Sequence, residues 1–182
     1  MLVVALCVVG VASPLLALRW PARLLLHSWR LPVLIWVALV VQVVALEVAM
    51  PQVLAAILHI LTYAAAIAFL WCNRTVGGLW GVAAGAASNG FVIALNGGTL
   101  PASAAAVRSA GLDGDLAFAN SGVIEDPVLP WLGDVFAWPA PMPLSNTFSV
   151  GDVLIVVGVF VAAWMGSRRL GVRSPASEAA SD

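Results

Sequence analysis

Residues 31–72 read LPVLIWVALVVQVVALEVAM-PQ-VLAAILHILTYAAAIAFLWC. Two apolar runs, 31–50 and 53–72, flank Pro51 and Gln52 and carry a single charged side chain, Glu47. Each has the ~17–25 residues that a helix needs to cross the hydrocarbon core of a bilayer. So short a connection makes them a tight antiparallel hairpin. Three further apolar runs, 2–18, 76–95 and 150–165, lie on either side. The expected class is an all-α integral membrane protein with five transmembrane helices.

Composition points the same way. Of 182 residues, 62% are hydrophobic and 9% charged, and the mean hydropathy is +1.03. A soluble domain is about half apolar and a quarter charged. The formal net charge of -1 provides no basic face for nucleic acid. Cys7 and Cys72 lie in separate apolar runs, so no disulfide is expected. No positive stretch precedes the first run, which argues against a cleaved signal peptide.

Arginine placement orients the spans. Arg19, Arg23 and Arg30 separate the first two, Arg74 separates the third and fourth, and Arg168, Arg169 and Arg173 follow the fifth. Five crossings put all of these on one side and only Arg108 on the other, which also holds most of the carboxylates. The positive side is the cytoplasmic one. The N-terminus is therefore expected outside and the C-terminus, with a tail over 166–182, in the cytoplasm. Trp20, Trp29, Trp36, Trp71, Trp80 and Trp164 map near that same interface, as an aromatic belt.

Within the cytoplasmic segment 19–30, Arg19, Arg23, His27 and Arg30 recur at helical spacing among Leu24, Leu25, Leu26 and Trp29. The pattern predicts a short amphipathic helix in the headgroup layer, serving as a positive-inside anchor or recognising an anionic lipid. In the fourth span, Gly77, Gly81 and Gly85 step by four residues and Asn89 continues the stripe. Small residues at that spacing let helices approach closely in a membrane, within one chain or between two copies.

The outer segment 96–149 is expected to be ordered. Pro101 and Gly111 bracket a short helix over 102–110. Leu129, Trp131, Leu132, Val135, Phe136 and Trp138 interleave with Pro130, Pro139, Pro141 and Pro143, which excludes a regular helix. So much aromatic surface is expected to fold back over the outer mouth of the bundle or to dip into the interface.

Two polar sets are candidate sites. Gln42 and His59 lie at similar depth on either side of the Pro51 turn, with Asn89 level with them and Glu47 a turn further out. Together they form a candidate intramembrane cluster, or hydrogen bonds that hold helices together. Outside, Asn96, Asp134, Asn146 and Asp152 are oxygen-rich and could hold a hard cation. However, Ser149-Val150-Gly151-Asp152 reads as a variant capping box, and Asp113-Gly114-Asp115 as a turn. No phosphate loop, His-Glu-x-x-His helix or nucleophile elbow is present in the sequence. No catalytic residue, cofactor or metal is expected.

Asn96-Gly97-Gly98-Thr99-Leu100-Pro101, then Leu132-Gly133-Asp134, Pro143-Leu144-Ser145-Asn146 and Ser149-Val150-Gly151-Asp152 together resemble an uncharacterised family of small polytopic bacterial membrane proteins, defined only as a domain of unknown function. Leu100 stands where such sequences often carry Met. The resemblance implies a plasma-membrane location and an outer segment that matters, and it carries over no active-site residue. The expected role is a non-enzymatic accessory or interaction component of the bacterial cell envelope. Its expected partners are the lipid bilayer and a membrane protein or a second copy met through the fourth helix, with no nucleic acid. The alternatives are a small transporter using the Gln42, His59 and Asn89 level, and a membrane-embedded enzyme.

Overall fold

The computed structural model describes residues 1–48, 50–112 and 121–170, and within them the chain is mostly helical. Five long helices carry the fold. Helix α1 (Leu2–Ala12) continues as a 3-10 stretch over Ser13–Ala17. After a single turn α2 (Ala22–Leu25) come α3 (Val33–Glu47), α4 (Gln52–Cys72) and α5 (Leu79–Leu95). A short α6 (Ala104–Ser109) precedes α7 (Val150–Met165).

Prolines set two of the starts. Pro32 and Pro51 stand at the N-caps of α3 and α4, where a missing N–H costs nothing. Among the described residues α4, with 21 residues, is the one helix long and apolar enough by itself to cross a membrane. The apolar stretches Leu2–Ala17, Val33–Ala45, Leu79–Leu95 and Val150–Met165 are shorter.

The helices pack in the order α3–α4–α5–α7–α1. The closest approach is between α5 and α7, which run antiparallel. A Cβ at Gly85 would meet the Gly151 carbonyl and lie 2.9 Å from the Ile155 nitrogen, whereas one at Gly81 would lie 3.1 Å from the Gly158 Cα. One turn further, it is Gly78 rather than Gly77 that abuts the Ala162 backbone, while Gly77 faces Met165. Gly78 has φ +89°, so a side chain there would be strained as well as crowded. The stripe Gly81–Gly85 is therefore covered by α7 of the same chain. Helix α1 runs parallel to α7 on its other side: the Phe160 ring fills the space at Gly10, and Trp164 Nε1 donates to Ser13 Oγ at 2.8 Å.

Six short strands tie the segments between helices. Arg19–Trp20 (β1) pairs antiparallel with Arg168–Arg169 (β6), so the residues after α1 are fastened to those after α7. Leu100–Pro101 (β2) pairs in parallel with Ser121–Gly122 (β3). Phe136–Trp138 (β4) and Asn146–Phe148 (β5) form a hairpin.

Two local expectations need correction. Segment 19–30 is not a continuous amphipathic helix: β1 and Pro21 interrupt it, and only Ala22–Leu25 is helical. Trp29 stacks on Phe69 of α4 at 5.6 Å, which holds the remainder against the bundle. The helix expected over 102–110 is shorter, because Pro101 is taken up by β2 and Ser103 caps α6 by accepting from the Ala106 N–H. The proline-interleaved run forms a 3-10 turn at Pro130–Leu132 followed by β4. Leu129 and Leu132 pack on Val92, Ile93 and Leu100, with Ile60 and Tyr63 from α4. This segment thus covers the end of the bundle where α5 stops and α7 starts.

Candidate functional site

Buried polar side chains concentrate near that covered end. On α4, His59 is 5% exposed and Thr62 8% exposed. His59 Nδ1 lies 2.9 Å from the Gly98 carbonyl, so the imidazole carries its proton on Nδ1 and donates. Gly98 can sit there only as glycine: its φ is +94°, and a Cβ would overlap Ala56. Tyr63 packs its ring on His59 at 5.4 Å between centroids. Thr62 Oγ1 lies 2.6 Å from the His59 carbonyl and 2.9 Å from Gln42 Oε1. One hydroxyl proton serves one acceptor, so the shorter contact takes it. The Gln42 amide oxygen is the second acceptor within reach of the same hydroxyl.

Asn89 engages a different partner. It is 2% exposed, and its Oδ1 accepts from Ser149 Oγ at 2.9 Å while its Nδ2 donates to Asp152 Oδ1 at 3.0 Å. Ser149 and Asp152 close the capping box at the start of α7: Ser149 Oγ accepts from the Asp152 N–H, and Asp152 Oδ2 accepts from the Ser149 N–H, both at 3.0 Å. The helix end therefore satisfies its own orphan donors and also grips α5. Gly151 is required beside it, because a Cβ there would overlap Asn89 Oδ1.

Three of the four residues expected as one intramembrane cluster can be placed, and they divide between two partners. Gln42 and His59 meet through Thr62, Asn89 is bound to α7, and the Glu47 side chain lies outside the described residues. The outer set is distributed likewise. Asn96 clamps Val128: its Oδ1 accepts from the Val128 N–H at 2.8 Å and its Nδ2 donates to the Val128 carbonyl at 2.9 Å. Asn146 sits in β5 opposite Trp138. Asp113-Gly114-Asp115 falls outside the described residues. Among the described residues, no three metal-ligating side chains gather.

Asp134 is the remaining member. It is 6% exposed, and its Oδ2 accepts from Ser121 Oγ at 2.7 Å and Thr147 Oγ1 at 3.2 Å. Oδ1 is buried without a partner among the described residues. Its backbone continues the β2 side of the cap, accepting from the Ser103 N–H and donating to the Pro101 carbonyl. Burial raises the carboxyl to about 6, and the Asp152 charge adds to the rise, while the hydroxyls of Ser121 and Thr147 pull the other way. Asp134 therefore sits at the centre of the cap, joining strands β3 and β5.

Several contributors escaped the sequence reading. Thr62, Thr147 and Ser121 are ordinary hydroxyls whose partners come from distant segments. Asn73 is fully buried and repeats the clamp of Asn96: its Oδ1 accepts from the Arg30 N–H and its Nδ2 donates to the Arg30 carbonyl and, four residues back, to that of Phe69. Asn96 likewise donates to Val92, four residues back. An asparagine directly after a long apolar helix, at both Asn73 and Asn96, was the signal available.

An uncharacterised protein of Thermotoga maritima is 33% identical to this chain over 93 residues. The match takes in 51% of this chain and 54% of the relative, so the chain spans about half the length of that protein. No solved structure matches. The family model is broader, covering residues 24–164 and so every helix from α3 to α7, with the clamps and the cap between them. The chain belongs to the family of unknown function DUF5317.

Proposed function

We propose that this chain is a multi-pass protein of the bacterial cytoplasmic membrane, acting as a non-enzymatic accessory or interaction component of the cell envelope. The five long helices are its spans, with the N-terminus outside, the C-terminus in the cytoplasm, and the segment 96–149 as an outer cap. One observation carries the reading: polarity is inverted relative to a water-soluble fold. Val8 is 63%, Val40 61% and Leu61 56% exposed, while His59 and Asn89 are 5% and 2% exposed. Water would reverse that distribution, and hydrocarbon favours it.

The tryptophans support the orientation. Trp20, Trp36, Trp71, Trp80 and Trp164 are 40–70% exposed and lie near the helix ends that carry the arginines, where an indole finds both apolar and wet surroundings. Helices α3 and α7, with 15 and 16 residues, extend ~22–24 Å, and flanking aromatics with local bilayer thinning make up the remainder. The interior polar groups are used on each other and on backbone, which favours a structural role for them over a transport passage.

Membrane fractionation with an alkaline carbonate wash tests the membrane reading. An integral protein stays in the pellet until detergent is added, and release by carbonate would end the proposal. Proteolysis of spheroplasts should cut within 96–149 and spare a C-terminal tag. A pull-down in mild detergent then separates an accessory component, which brings a stoichiometric partner, from a free-standing homo-oligomer.

A further inference from the structure

A cavity of about 630 Å³ lies at the opposite end from the cap, where α2 meets the end of α7. Arg23, His27, Ser28 and Arg168 line it, together with Leu26 and Met165, and among the described residues no carboxylate does. Its walls are fixed by backbone. The Arg23 N–H donates to the Gly166 carbonyl at 3.0 Å, the Leu170 N–H to the Leu18 carbonyl at 2.9 Å, and β1 pairs with β6. The Arg23 guanidinium donates to the Thr75 carbonyl at 2.8 Å. His27 is held edge-on against Trp29 at 4.9 Å, and its Nε2 is buried without a hydrogen-bond partner among the described residues.

We propose that this cavity binds a phosphate group, presented by an anionic lipid headgroup. Two guanidinium groups and the Ser28 hydroxyl supply donors of the kind that a phosphate oxygen accepts, with the His27 ring in the wall beside them. Leu26 and Met165, 74% and 67% exposed, offer the apolar flank that an acyl chain would cover and that a free phosphate would not need. The cavity lies on the arginine-rich side, which faces the anionic inner leaflet. The inference rests on the membrane reading above.

The test uses the full chain, recovered from carbonate-washed membranes in a non-ionic detergent, so a failure of the membrane reading appears at that step and not later. Thermal unfolding is followed as phosphatidylglycerol, phosphatidylcholine or inorganic phosphate is added. Phosphatidylglycerol should raise the midpoint, and Arg168→Gln should demand about tenfold more of it for the same rise. Arg168→Lys should recover most of the effect, and Arg169→Gln, one residue outside the lining, should match the unaltered chain. A rise with inorganic phosphate alone, lost in Arg168→Gln, would uphold the phosphate site and name free phosphate as its source. Equal rises with both lipids, or a rise indifferent to Arg168, would overturn the proposal. Should Arg168→Gln not fold, native mass spectrometry of the unaltered chain decides: preferential retention of phosphatidylglycerol supports the site, and no preference rejects it.

Discussion

Asn89 Nδ2 stands 3.0 Å from Asp152 Oδ1, joining α5 to α7 across 63 residues of sequence. The contact completes a ring in which Ser149 donates to Asn89 and accepts from the Asp152 N–H. Every polar atom in this ring has a partner, and the ring sits where two helices touch through glycine. It therefore sets the register of the α5–α7 pair as well as capping α7.

Replacing Asn89 should expose that dependence. Asn89→Ala leaves the Ser149 hydroxyl and one Asp152 oxygen without their partner, at a cost of about 1–3 kcal/mol. Asn89→Asp should cost more at neutral pH, because it sets a second carboxylate against Asp152. Thermal unfolding in detergent, followed by tryptophan fluorescence, would rank the two. Asn89→Asp as stable as the unaltered chain would refute the ring's role.

The glycine stripe predicts a graded series. At Gly85 an added methyl meets the Gly151 carbonyl backbone, which cannot move aside without displacing α7. At Gly81 the nearest atom is 3.1 Å away, a crowding that a shift of a few tenths of an ångström relieves. Gly85→Ala should therefore lower stability by about 1–3 kcal/mol and Gly81→Ala by less. The reverse order would mean that α5 and α7 are not packed as described.

Much of the framework was legible because hydropathy is local. The apolar runs 53–72 and 150–165 coincide with α4 and α7 to within a residue, whereas 31–50 and 76–95 yield the shorter α3 and α5, and the Ser149–Asp152 cap forms with both of its hydrogen bonds. Partner choice was not legible. Asn89 shares a depth with Gln42 and His59, yet the rotation of α5 turns it to Ser149. Nothing in the spacing of Gly77, Gly81 and Gly85 indicated that Gly78 would replace Gly77 at the contact. The segment 19–30 failed for a related reason: helical spacing of arginines cannot outweigh Pro21 and a strand partner, β6, supplied from about 150 residues away.

The two asparagine clamps should differ in weight. Asn73 is fully buried and holds both backbone groups of Arg30, whereas Asn96 is only half-buried where it holds Val128. Asn73→Ala removes the partners of a part-buried backbone donor and acceptor, at about 1–3 kcal/mol, while water more readily replaces the partner lost at the exposed Val128 clamp. Asn73→Ala should also increase protease or hydrogen-exchange access over residues 26–31, and Asn96→Ala over 126–130. Equal destabilisation by the two would contradict this assignment.

Asp134 gives the pH dependence. Its carboxyl titrates at about 6 in the folded chain, above the ~3.9 of an unfolded aspartate. Between those values the folded state holds more protons than the unfolded one, so unfolding free energy falls as pH rises from about 4 to about 6 and then levels off. At neutral pH the buried carboxylate, with Oδ1 unpartnered, costs on the order of 3 kcal/mol. Asp134→Asn keeps an oxygen for the Ser121 and Thr147 hydroxyls and removes the charge. The variant should be more stable than the unaltered chain at pH 7, close to it or below it at pH 4, and nearly flat between. The difference between the two proteins isolates this one group from the other carboxylates. A variant that kept the same slope from pH 4 to 6 would show that Asp134 is not the group that titrates there.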